Sequence, residues 1–184
     1  MEFHEDDFSD SEYRLQFGIY EIVRGGKNHK GKKIMAIAGL NGLESGQAAL
    51  DWIQSLAFGP TEEWNERVQE AVRIANEYEV DYVTGHSLGG LMAEIVTSYT
   101  GIDGASFNAP GNYYPGMDNN LVDGGRQSEA RFNVHLMTDD PFSLVGAANH
   151  IAVPKMEKSS CTSNQYTAFT CHATMWLWQS IGLF

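Results

Sequence analysis

The stretch Gly85-His86-Ser87-Leu88-Gly89-Gly90 restricts the fold of this chain more than any other. It follows Val80-Asp81-Tyr82-Val83-Thr84, which reads as a buried strand, and precedes Leu91-Met92-Ala93-Glu94-Ile95-Val96, which reads as a packed helix. A serine with glycine two places to either side, between a strand and a helix, marks a turn too tight for a Cβ at the flanking positions. Such a turn lifts the serine hydroxyl above the sheet. The helix that follows aims its free N–H groups at any anion formed there.

The segments around it alternate between strand and helix. Residues 16–23 alternate as a strand, Gly25 to Gly31 read as a turn, and Lys33 to Ala38 read as a second, more buried strand. That pair is expected to form an antiparallel hairpin at the sheet edge. Between about Gln47 and Phe58, Ala48, Trp52, Ile53 and Leu56 share a helical face that stops at Gly59-Pro60. Thr61 reads as an N-cap, with Glu62 and Glu63 suited to the positive end of a helix dipole. Trp64, Val68, Ala71, Val72, Ala75 and Tyr78 then mark a 3.6-residue stripe. Further strands are expected at Gly104 to Asn108, at Phe132 to Met137 and near Tyr166 to Thr170, before a terminal helix from about His172. The alternation predicts an α/β fold with a mostly parallel central sheet flanked by helices.

At 184 residues the chain fits one domain, able to bury about 70% of its unfolded surface. Residues 1–12 read as an acidic flexible lead-in and 13–184 as the single domain. A formal net charge of −12 argues against nucleic acid and against strong attraction to anionic bilayers. No apolar run is long enough for a membrane span. The acidic start is the opposite of a secretory n-region, which leaves a cytoplasmic protein or one exported by a Sec-independent route. Cys161 and Cys171 stand nine residues apart and could close a small loop or remain two thiols.

A serine hydroxyl attacks only when a base takes its proton, and that base needs a carboxylate to hold its tautomer. On a strand–turn–helix serine of this kind the chain order is serine, acid, histidine. The acid belongs just beyond the C-terminal end of a strand, which points to Asp139 or Asp140 after Phe132 to Met137. Asp140 is favoured, because Asp139 is suited to bonding within the turn. His135 precedes both, leaving His150 or His172 as base. His172, opening the terminal helix, is favoured over His150, which enters a short strand and otherwise reads as a surface or supporting histidine. An oxyanion needs two backbone N–H donors: Leu88 directly after the serine, and Leu40 in Gly39-Leu40-Asn41-Gly42.

These pieces resemble the class 3 lipase family, the fungal-type triacylglycerol lipases and their bacterial lipase-like relatives, within the α/β-hydrolase superfamily. The resemblance is carried by Ala38-Gly39-Leu40, Asp51-Trp52-Ile53-Gln54-Ser55-Leu56, the Ser87 turn, Ser106-Phe107-Asn108-Ala109-Pro110-Gly111, Asp140-Pro141-Phe142 and His172. It implies an α/β-hydrolase fold with a catalytic triad of Ser87, Asp140 and His172 and oxyanion donors Leu40 and Leu88. The implied activity is a serine lipase or esterase, including the phospholipase A type, working through an acyl-enzyme with no cofactor and no metal. Two departures stand out. Where the family has an Arg-Gly-Thr or Arg-Gly-Ser pattern this chain has Ala-Gly-Leu, so the backbone must hold the oxyanion unaided by a hydroxyl. The segment from Gly42 to Trp64 is too short for a large lid helix, so the lid is minimal.

Tyr113, Tyr114 and Phe142 are candidates to line an acyl pocket, and Phe58 and Phe107 suit either that pocket or the core. Trp176, Leu177, Trp178, Ile181 and Leu183 read as a helix face docked on the sheet rather than a membrane tail. The expected partner is an ester or lipid substrate, with transient contact at a lipid interface. Two alternatives stand beside the lipase reading. One is a phospholipase-type antibacterial effector, delivered by a secretion system and bound by an immunity protein. The other is a catalytically inactive module that uses the fold only for binding.

Overall fold

The computed structural model describes residues 16–23, 29–39, 62–111, 130–138, 140 and 150–157. Six strands form one sheet in sequential order: β1 (Phe17–Glu21), β2 (Lys33–Ile37), β3 (Tyr82–His86), β4 (Asp103–Phe107), β5 (Phe132–Met137) and β6 (Lys155–Glu157). β1 runs antiparallel to β2, with Phe17 opposite Ile37 and Glu21 opposite Lys33, as the hairpin reading expects. Every later neighbour pair is parallel. Among the described residues two helices, α1 (Glu62–Glu77) and α2 (Leu88–Thr100), lie in the connections on either side of β3. The chain is therefore an α/β fold with a mixed, mostly parallel sheet.

Parallel strands laid down in one direction with right-handed crossovers place their helices on the same face. Accordingly α1 and α2 pack on each other, and α2 lies across β2, β3 and β4. In register, Ile37, Gly85, Ser106 and Val134 form one row on that face, and the helices cover it. Trp64, Val68, Ala71 and Ala75 of α1 are buried, with Val72 and Tyr78 partly so, which is the stripe that the sequence predicts. On the solvent side Arg73 is paired with Glu70 and Glu77. In α2 every residue from Leu88 to Ser98 is buried. A helix buried on all sides belongs to a core, and this one is the centre of it.

β3 begins two residues later than the apolar run suggests and continues through Gly85 and His86. The reason lies at its start. Asp81 N–H donates to Lys33 O at 2.9 Å, and its carboxylate accepts the Lys33 N–H at 2.9 Å, so this residue anchors the approach to β2. The Lys33 ammonium also donates to Tyr78 O at 2.8 Å, tying the end of α1 to the same strand. The short strand expected to begin at His150 forms further on, as β6: residues 150–152 bend first. Lys155-Met156-Glu157 has no β-branched residue, and its parallel register with His135, Leu136 and Met137 makes it one. The helix expected near 47–58, the strand near 166–170, the terminal helix and both cysteines lie outside the described residues. Among the described residues no helix is long and apolar enough to cross a membrane.

Candidate active site

The backbone at Ser87 is unusual for a residue that carries a side chain. Its φ of 56° and ψ of −128° lie outside the wells that side-chain-bearing residues normally occupy. Holding a serine there costs on the order of 1–3 kcal/mol and persists only where the surroundings over-determine it. Here they do. Ser87 N–H donates to Phe107 O at 2.9 Å, and Ser87 O accepts the Leu91 N–H at 3.1 Å, closing the first turn of α2. The residue is fixed to β4 on one side and to its own helix on the other.

The glycines around it are required by close approach. A Cβ at Gly85 would collide with the Gly89 carbonyl group, and one at Gly89 would collide with Ile37 O. The Gly89 Cβ would also stand 2.7 Å from Ala38 C. The first turn of α2 thus lies directly on the ends of β2 and β3. Past β2, Gly39 runs beside the serine: a Cβ there would sit 2.7 Å from His86 O and 3.2 Å from Ser87 Cβ. The loop read as an oxyanion loop therefore starts against Ser87, although Leu40 itself lies outside the described residues. Leu88 is the first residue of α2 and is buried. An N–H at that position has no intrahelical partner, so it is available to an anion beside Ser87.

The sheet carries a candidate acid out of the same edge. Asp140 lies three residues beyond β5, 2% exposed, with its N–H donating to Met137 O at 3.3 Å. Asn108 fixes that turn relative to β4. Its N–H donates to His135 O at 2.8 Å, and its Oδ1 accepts the Met137 N–H at 3.0 Å. Asn108 is 2% exposed and left-handed at φ 49°, a conformation that asparagine tolerates better than most residues. Only β4 separates β3 from β5, so the strand ends that lead to Ser87 and Asp140 leave the same edge two strand spacings apart, about 10 Å. On the sheet face away from α2, Phe107 and its register partner His135 stack with ring centroids 5.1 Å apart.

Of the two candidate bases, His150 is described and His172 is not. His150 is no surface residue: its side chain is fully buried, with Nδ1 2.9 and 3.1 Å from the two carboxylate oxygens of Glu94 in α2. Ser106 Oγ–H, in the row that faces α2, donates to the same carboxylate at 2.7 Å. The sequence assigns no site role to Glu94, or to Ser106 and Asn108, although the last two lie in a stretch that carries the family resemblance. For Glu94 a signal was present, since it is the one charge in an otherwise uncharged helix. Asp139, Tyr113, Tyr114 and Phe142 lie outside the described residues. Among the described residues no three histidine, cysteine or carboxylate side chains converge as a metal site requires.

Fold and site together define an α/β protein that presents a strained serine at the C-terminal edge of a mostly parallel sheet. Comparison with known families places it more closely. The chain belongs to the phospholipase-like family: the model for the Tle-like phospholipase domain matches residues 4–134. That span carries the Ser87 turn and strands β1 to β4, and ends within β5. Membership makes this a phospholipase-like, ester-hydrolysing domain, in keeping with the broader lipase resemblance without singling out class 3. No curated protein matches the chain.

Proposed function

We propose that the chain is a serine phospholipase that cleaves an acyl ester of a glycerophospholipid through an acyl-enzyme at Ser87. The observation that carries this reading is the strained Ser87 backbone, held between the Phe107 carbonyl and the first turn of α2. Strain of this kind is kept where it aims a side chain. His172 takes the Ser87 proton as the hydroxyl attacks the acyl carbonyl, and Asp140 orients the ring. A span of about 10 Å between the two ends suits an imidazole between a hydroxyl and a carboxylate. The N–H groups of Leu88 and Leu40 hold the oxyanion, and Gly39 beside Ser87 brings the second donor within reach. Protonated His172 then releases the lysophospholipid, and water clears the acyl group by the same route. The His150 side chain is fully buried against Glu94, about two helical turns along α2 from Ser87, which supports His172 as the base.

The family match favours phospholipid over triacylglycerol within the lipase reading. Tyr113, Tyr114 and Phe142 remain proposed acyl contacts, and residues 13–184 the proposed extent of the domain. The effector reading asks for the same chemistry turned on a bacterial membrane. Growth arrest on export to the periplasm, relieved by a co-expressed binding protein, would single it out. The direct test is fatty-acid release from diacylphosphatidylcholine and diacylphosphatidylglycerol vesicles, beside p-nitrophenyl esters from acetate to palmitate. Wild type and Ser87→Ala are compared. Serine-dependent release of fatty acid is expected. Release of phosphorylated headgroup instead, or turnover that survives Ser87→Ala, would overturn the reading.

A further inference from the structure

Helix α2 carries one charged side chain, and it is buried in the core. The Glu94 side chain is 1% exposed and that of His150 fully buried. The carboxylate accepts Ser106 Oγ–H at 2.7 Å and the Ile151 N–H at 3.2 Å, and lies 2.9 and 3.1 Å from His150 Nδ1. The three donors come from two separate places in the chain. Ser106 lies on β4, in register with Gly85 two residues before Ser87. His150 and Ile151 lie shortly before β6.

A carboxylate taken out of water costs several kcal/mol unless nearly every lone pair is satisfied, and an apolar side chain would fill the same space without that cost. What an apolar side chain cannot do is fix direction. Dispersion contacts let a segment slide along a helix, whereas three hydrogen bonds converging on one carboxylate set its height and rotation. Glu94 thus ties the helix of Ser87 to β4, one residue before the Phe107 carbonyl that accepts the Ser87 N–H, and to the approach of β6.

We propose that Glu94, with Ser106 and His150, is a positioning clamp that holds the helix of Ser87 in working geometry against β4 and the approach to β6. The clamp rests on the triad reading given above. It touches neither substrate nor reacting atoms. It acts through the helix that it pins, so its loss lowers kcat and leaves KM unchanged. Displacing a catalytic group by about 1 Å can cost two orders of magnitude in rate.

The test uses the full chain with p-nitrophenyl butyrate, whose solubility gives a defined KM, and counts functional serines by fluorophosphonate titration. His150→Leu removes the donor to Glu94. His150→Asn keeps an N–H at the place of Nδ1. The expected result is a kcat per titrated serine lowered about 30-fold in His150→Leu with KM within about twofold, and restored to within about threefold of wild type in His150→Asn. Ser106→Ala deletes a single hydroxyl and keeps the fold; about a fivefold loss in kcat is expected there. Should His150→Leu fail to fold, Ser106→Ala decides by the same criterion. A melting temperature that falls while kcat per titrated serine holds at the wild-type value would overturn the clamp and leave the function standing. Absence of any Ser87-dependent turnover in the wild type would overturn both.

Discussion

Replacing Gly89 by alanine sets two well-measured effects against each other, and the geometry decides the sign. Gly89 lies inside a helix with no positive φ, so intrinsic propensity favours alanine by about 1 kcal/mol. Packing opposes it. The new Cβ would overlap Ile37 O and approach Ala38 C and Ala38 O to 2.7 Å, and all of these are backbone atoms at the end of β2. No rotamer can move them aside, so α2 must lift from the sheet or β2 must bend. Overpacking a core typically costs 1–3 kcal/mol and sometimes more, and a collision with fixed backbone belongs at or above the top of that range. Subtracting the propensity gain leaves a net loss of about 2 kcal/mol or more. For a chain of this size that lowers the melting temperature by about 4–8 °C. Differential scanning calorimetry of wild type and Gly89→Ala reads it directly. Gly90→Ala supplies the graded control, since its Cβ would meet Ala109 Cβ and Gly85 O at 3.0 Å and should cost less. A Gly89→Ala protein as stable as wild type, or more so, would refute the claim that α2 is seated on the strand ends.

Ser87→Gly should melt higher than wild type by several degrees, because glycine releases strain of on the order of 1–3 kcal/mol, while any serine-dependent hydrolysis disappears; an unchanged melting point would mean the turn is not strained. Asn108→Ala leaves the buried Met137 N–H without its acceptor and puts alanine at φ 49°, so a loss of about 2–3 kcal/mol in urea denaturation is expected. The Asp103 carboxyl is held below its usual range first by the Arg131 N–H at 2.8 Å and then by the Arg131 side chain, with burial opposing. A depressed carboxyl stabilises the fold above its unfolded pKa near 3.9 and loses that contribution as pH falls through its lower folded value. Asp103→Asn should therefore lower the melting temperature at pH 7 and matter progressively less below about pH 4, and an equal deficit at both would sink the linkage.

Much of this molecule is written locally. The glycines at 85, 89 and 90 around Ser87 demand a turn between strand and helix whatever the rest of the chain does, and Ser87 takes up the strained backbone that the turn requires. The stripe from Trp64 to Tyr78 can bury its apolar side only as a helix, and the alternation in residues 16–23 with the more buried run at 33–38 suits the hairpin that forms. Phe132 to Met137 is a strand with the bounds that its sequence suggests. These features depend on neighbours a few residues away, and periodicity records such neighbours.

Other features exist only because distant segments meet. β6 is a strand by virtue of β5 alongside it, and no propensity in Lys155-Met156-Glu157 foretells that. His150 reads in sequence as a histidine of surface or supporting role. Burial against Glu94, 56 residues earlier, makes it part of the core. Asn108 and Met137 are 29 residues apart, yet one side-chain amide joins them beside Asp140. The sequence determined the local shape at Ser87, because steric limits on φ and ψ act within a few residues. Tertiary structure alone decided which polar groups meet in the core, because a buried carboxylate is satisfied by whatever the fold brings within about 3 Å of it.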